Sequence, residues 1–143
     1  MILKHTMEAF IREQTNTTPS IEFNPEKNVF EIMGSSRPED VREFFYPVLD
    51  WFNKFKEYLT RDGASLFSEE NPLTFTAKLH YFNSSSAKFI FDIFEELRNV
   101  HNLNIPIKVY WYFDEDDEDM LDVGEEIAQM VDMDFQFIAI KNT

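Results

Sequence analysis

The chain has 143 residues, 43% of them hydrophobic, so one ordinary domain can bury its own core without a metal or a disulfide. It contains no cysteine, which excludes disulfide frameworks, thiolate nucleophiles and cysteine-based zinc sites and fits a reducing cytoplasm. Acidic residues outnumber basic ones 27 to 13, a formal charge of −14. Phosphate backbones and anionic lipid surfaces are repelled on average, so neither nucleic acid nor membrane is expected as a partner.

No apolar run approaches the roughly 18 residues that a membrane span needs. The start, Met1 to His5, is too short for the apolar part of a signal peptide, and the expected address is the cytoplasm. Phe occurs 16 times, and rings in that number read as packing mass. The local cations Lys54, Lys56 and Arg61 make one small cluster. No repeat or linker divides the chain, so a single domain over residues 7–140 is expected.

In chain order, Glu8 to Gln14 alternates loosely and ends at the polar break Thr15 to Pro19. Ser20 to Phe23 and Val29 to Met33 are short strands around Asn24-Pro25-Glu26-Lys27-Asn28, an interval with the turn chemistry of a hairpin. Ser36 followed by Glu39 fits a capping box, with Pro38 in the first helical turn. Val41, Phe44, Phe45, Val48, Phe52, Phe55 and Leu59 then recur at helical spacing. Pro47 either kinks that helix or starts a second one, because it lacks an N–H and crowds the preceding turn. Trp51 reads as an exposed aromatic. Thr60 to Pro72 reads as a loop, with a turn at Asp62-Gly63.

Leu73 to Phe82 is the clearest strand, with Leu73, Phe75, Ala77, Leu79 and Tyr81 on one face. After Asn83-Ser84-Ser85-Ser86 the period becomes helical, through Phe89, Ile90, Ile93, Phe94, Leu97 and Val100. Ile105 to Phe113 is a second long strand, Asp114 to Asp119 an acidic turn, Met120 to Val131 a short helix and Phe135 to Ile140 a last strand. Strands alternating with helices imply an α/β fold with a partly parallel sheet and right-handed crossovers.

Most motifs that carry chemistry are missing. There is no Gly-x-Ser-x-Gly elbow, no Walker loop and no Gly-rich dinucleotide turn, since the three glycines stand alone at 34, 63 and 124. The acidic run from Asp114 lacks the glycine that a calcium loop needs at its sixth position. A solvated turn leading into a helix explains it better. His5, His80 and His101 form no ligand pair. No catalytic residue, metal site or cofactor is therefore expected.

One junction stands out, Tyr81-Phe82-Asn83-Ser84-Ser85-Ser86-Ala87-Lys88, where a long strand ends and a helix begins at once. Asn and Ser are favoured there as helix caps, because their oxygens accept bonds from the first free N–H groups. The same place also suits phosphorylation. The unpaired N–H groups and the positive end of the helix dipole tolerate a phosphate. Its charge of about −1.5 to −2 could break an interface without refolding. Lys88, one turn into the helix, could partly neutralise it.

The element order and this turn resemble the STAS fold of anti-sigma-factor antagonists. In that fold an Asp-Ser pair occupies the turn, and the Ser is the substrate of a partner-switching kinase. More closely, the chain is similar to the bacterial SiaC-type regulatory phosphoproteins. The likeness lies in Tyr81 to Ser86, in Thr18-Pro19-Ser20-Ile21 with its hairpin, in Phe44-Phe45-Tyr46-Pro47 with Trp51, and in Val109-Tyr110-Trp111-Tyr112 with its acidic turn. It spans roughly Met7 to Ile140. The departures are Asn83 in place of Asp, no glycine after the serines, and Ser84 where some relatives carry Thr.

The resemblance implies a mixed sheet of five to six strands with about three helices packed on it and an N-terminal antiparallel hairpin. It also implies a non-enzymatic switch. A kinase phosphorylates Ser84, with Ser85 next and Ser86 last in order of preference, and a PP2C-type phosphatase reverses it. The unmodified form binds and stimulates an effector such as a diguanylate cyclase. Asn83, Ser84, Ser86 and Lys88 are the expected partner contacts. The competing reading is a small-ligand module that holds a nucleotide or lipid at the strand ends.

Overall fold

A computed structural model of the protein describes residues 6–141; the segment Met1 to His5, with its histidine, lies outside them. The chain runs β1 (Phe10–Arg12), β2 (Ser20–Asn24), β3 (Val29–Ser36), α1 (Val41–Tyr58), β4 (Leu73–Phe82), α2 (Ser84–His101), β5 (Ile107–Asp114), α3 (Glu118–Val131) and β6 (Phe135–Ile140). All six strands form one sheet whose spatial order is the chain order. β1, β2 and β3 pair antiparallel, and β3 to β6 pair parallel, each parallel step being made through one helix. This is the mixed sheet with an N-terminal hairpin that the resemblance implied.

Period-two alternation decides what the sheet buries. The register sets Phe10, Phe23, Phe30, Phe75, Val109 and Phe135 side by side across all six strands. Phe45, Val48, Phe52 and Phe55 of α1 and Ile90, Ile93, Phe94 and Leu97 of α2 complete that core, all 0–1% exposed. Each ring so removed from water contributes roughly 1.5–3 kcal/mol. The alternate strand residues, such as Thr74, Thr76, Lys78, Tyr110 and Tyr112, are half-buried on the opposite face.

Several expectations are corrected. Only Phe10–Arg12 of the first alternating stretch pairs, with Ile11 pointing to solvent. Ser36 does not cap α1. β3 continues through it because β4 supplies a parallel partner, and the cap is Asp40, whose carboxylate accepts from the Glu43 N–H at 3.0 Å. α1 runs unbroken through Pro47. Trp51 is buried, stacked on Phe55 at 4.8 Å, and its indole N–H donates to the Glu8 carbonyl at 3.1 Å. The Asp62-Gly63 pair lies inside a π-helical turn that prolongs α1 over Leu59–Gly63.

Tyr81 also changes sides. The β3–β4 register slips between Gly34 and Ser35, so that Leu79 faces Gly34 while Tyr81 faces Ser35. The extra residue, His80, is a bulge, and Gly34 adopts φ +114°, a backbone shape that a side chain rarely accepts. Tyr81 thereby leaves the core face and is 51% exposed.

Candidate functional site

The Asn-Ser-Ser-Ser junction lies at the carboxyl edge of the parallel strands, between β4 and α2. Asn83 is the N-cap of α2, with extended backbone (φ −81°, ψ 172°), and its Oδ1 accepts from the Ser86 N–H at 2.9 Å and the Ser85 hydroxyl at 3.1 Å. The Asn83 N–H in turn donates to the Ser36 carbonyl at 3.0 Å, tying the turn to the end of β3. Asn83→Ala is expected to cost about 1 kcal/mol through the lost cap, read as a lower urea midpoint at unchanged slope.

The three serines are not equivalent. Ser84 and Ser85 are exposed, whereas Ser86 is fully buried. Among the described residues the Ser84 hydroxyl has no hydrogen-bond partner, while that of Ser85 is held by Asn83. Ser86 pairs inside with Ser36. The Ser36 hydroxyl donates to that of Ser86 at 2.9 Å, and the Ser86 hydroxyl donates to the Ser36 carbonyl at 3.2 Å. These two are the buried polar side chains of the molecule among the described residues, and each satisfies the other. Ser86, expected as a partner contact, therefore faces the core. Its spacing to Ile90, Ile93 and Leu97 already places it on the inward stripe of the helix.

Lys88 is exposed and donates to Asp92 at 2.9 Å, one turn along the helix. That hydrogen bond, with the charge of Asp92, holds the Lys88 ammonium above the usual lysine value and keeps it charged. The ammonium stands 5.0 Å from the Phe89 ring centre, and the exposed Tyr46 meets Phe89 edge-on at 5.9 Å. Lys88 shares a helix face with Ser84, four residues before it.

Sequence reasoning missed two residues here. Ser36, read as a cap for α1, belongs to the turn of α2, fifty positions later. Arg37 follows it and opens, with Asn16, Ser35 and Tyr81, a groove of about 320 Å³ beside the turn. A glycine inside a strand pattern, at Gly34, was the available signal for the bulge that exposes Tyr81.

The other charged features are structural. Lys54 pairs with Asp50 at 3.6 Å and Lys56 with Glu96 at 2.8 Å, which divides the basic cluster among carboxylates. Asp117 caps α3 by accepting from the Met120 N–H at 3.1 Å. His80 lies 3.7 Å from Asp114, and the His101 ring meets the Ile105 carbonyl at 3.0 Å. Among the described residues no group of three or more His, Cys, Asp or Glu is arranged to hold a metal, and no helix is long and apolar enough to cross a membrane.

Known proteins place this geometry. The chain is 30% identical to an uncharacterized protein of Pseudomonas aeruginosa (strain UCBPP-PA14) over 123 residues, covering 86% of this chain and 88% of that protein. The crystal structure of apo-SiaC from Pseudomonas aeruginosa superposes with a TM-score of 0.76 at 26% identity, over 93% of this chain and all of that one. A chain in the crystal structure of the diguanylate cyclase SiaD in complex with its activator SiaC, from the same organism, gives 0.72 at 28% identity, over 93% and 99%. Residues 12–140 match the family described as SiaC family regulatory phosphoprotein. The protein belongs to the SiaC family of regulatory phosphoproteins.

Proposed function

We propose that this protein is the phosphorylation-controlled partner in a kinase and PP2C-type phosphatase switch, working as one non-enzymatic domain over residues 7–140 in the cytoplasm. Ser84 is the acceptor, with Ser85 second, and the unmodified form binds and stimulates a diguanylate cyclase. The observation that carries this reading is the exposed, unbonded Ser84 hydroxyl on the first turn of α2, beside a Ser86 that is shut inside. The relation of SiaC to SiaD, as its activator in a complex, supports the choice of effector.

The physical action is local. A phosphate at Ser84 would sit where free N–H groups and the helix dipole tolerate it, so the fold stays intact. It would add about −1.5 to −2 charges to an edge meant for a partner, and repulsion with desolvation would remove that partner. Lys88, one turn along the same face, can offset part of this charge, because its bond to Asp92 uses one of three N–H donors.

Phosphopeptide mapping of the protein from its own cells tests the acceptor. The expected result is phosphate on Ser84 that disappears in Ser84→Ala. Ser84→Ala is expected to keep effector binding, while Ser84→Asp raises the Kd by about tenfold, some 1.4 kcal/mol. Equal affinity of Ser84→Asp and wild type would sink the electrostatic switch.

A further inference from the structure

The uncovered face of the sheet ends, at the carboxyl edge of β3 and β4, in the groove lined by Asn16, Ser35, Arg37 and Tyr81. Tyr81 is held there by a strand rather than a loop, turned outward by the bulge at His80. Arg37 is exposed, with its backbone N–H fixed on the Thr17 carbonyl at 2.8 Å. Among the described residues its guanidinium has no ion pair or hydrogen bond. Arg37 is the one charged residue among the four that line the groove, so no carboxylate of the lining competes for it.

Lys78, on the same strand as Tyr81, lies 4.4 Å over the Tyr112 ring. The chain repels anions on average, yet this groove offers the Arg37 guanidinium. An arginine next to an exposed tyrosine is the pairing enriched at interface centres, and a guanidinium takes a carboxylate with two parallel bonds.

We infer that the unmodified protein docks a carboxylate-bearing segment of its effector in this groove, with Arg37 as the ionic anchor and Tyr81 as the apolar one. The inference rests on the regulatory reading above and deepens it. Ser36 stands between Ser35 and Arg37 and is bonded to both Asn83 and Ser86, so the groove and the serine turn form one continuous edge. A phosphate on Ser84 meets the incoming carboxylate as a like charge. It also offers Arg37 a competing anion.

The test measures the Kd of the full-length, unphosphorylated protein for the diguanylate cyclase that it stimulates. Arg37→Glu and Tyr81→Ala are each expected to raise the Kd by about tenfold or more. Lys27→Glu makes the same charge change in the hairpin loop at the other end of β3 and is expected to stay within about twofold. If Arg37→Glu and Tyr81→Ala bind like wild type, the groove is overturned and the regulatory reading stands. If Arg37→Glu and Lys27→Glu weaken binding equally, net charge is responsible and the groove is again overturned. A wild type that binds no cyclase in either phosphorylation state overturns the regulatory reading, and the groove with it. Thermal midpoints check folding, and Arg37→Gln takes over the test should Arg37→Glu fail to fold.

Discussion

Ser86→Asp is expected to destabilise the protein by several kcal/mol, whereas Ser84→Asp, two residues earlier, is expected to change stability by less than about 1 kcal/mol in either direction. Ser86 is fully buried, and its hydroxyl meets both the hydroxyl and the carbonyl of Ser36. A carboxylate there loses its water and faces a carbonyl oxygen that repels it. Ser84 is exposed at the positive end of α2, where a carboxylate keeps its hydration and gains a few tenths of a kcal/mol from the dipole.

Thermal melts of the two variants at neutral pH and near pH 4 separate these cases. Burial raises the pKa of an aspartate at 86 above its unfolded value near 4, so its ionisation cost appears as pH rises through that value. The deficit of Ser86→Asp is therefore expected to shrink in acid, and that of Ser84→Asp to stay small throughout. A stable Ser86→Asp would mean that the first turn of α2 opens easily. Ser86 would then rejoin Ser84 and Ser85 as an acceptor.

Trp111→Ala is expected to cost about 3–5 kcal/mol, a fall of about 10–20 °C in Tm for a domain of this size. Trp111 is 1% exposed and is the largest of the fully buried side chains. Its indole packs against Phe94 at 5.8 Å and Phe135 at 6.3 Å, and its N–H donates to the Met120 carbonyl at 3.0 Å. α3 approaches it at Gly124, where an added Cβ would stand 2.5 Å from the indole nitrogen. One ring thus joins β5, β6, α2 and α3. Its removal leaves a cavity that no single neighbour can fill. Urea denaturation checks the figure, and a loss below about 1.5 kcal/mol would show that α3 collapses onto the vacancy.

The serine variants and Trp111→Ala probe separate properties. Trp111 lies inside, under α3, and its loss lowers stability while leaving the chemistry of the serine turn as it is. Ser84 and Ser86 differ by two positions of one helix, yet one is exposed and the other is part of the core.

Much was legible in the residues themselves. Alternation and helical spacing are local properties of the chain, so the strand Leu73–Phe82 could be read with its ends, and the helix that follows the serines with its apolar stripe, as could the hairpin around Asn24 to Asn28. The turn from Tyr81 to Lys88 was equally plain, because a strand, a cap and a helix start follow one another there without a gap. The resemblance that runs through it carried the family.

Tertiary structure decided what depends on neighbours far along the chain. Ser36 looked like a helix cap because its local context, a serine before Pro38 and Glu39, has that form. Pairing with β4 made it the end of a strand and the buried partner of Ser86 instead. Alternation put Tyr81 in the core, but a bulge adds one residue to a strand and reverses every side chain after it. Trp51 stands three residues after Val48 and four before Phe55, so its helical spacing already marked it as inward, and it packs against Phe23, Phe30 and Phe55. The sequence alone determined where α2 begins and which residue caps it, because capping is set by adjacent residues. Only the folded sheet decided which serine is exposed and which residues stand beside it, because burial is a property of contacts fifty positions apart.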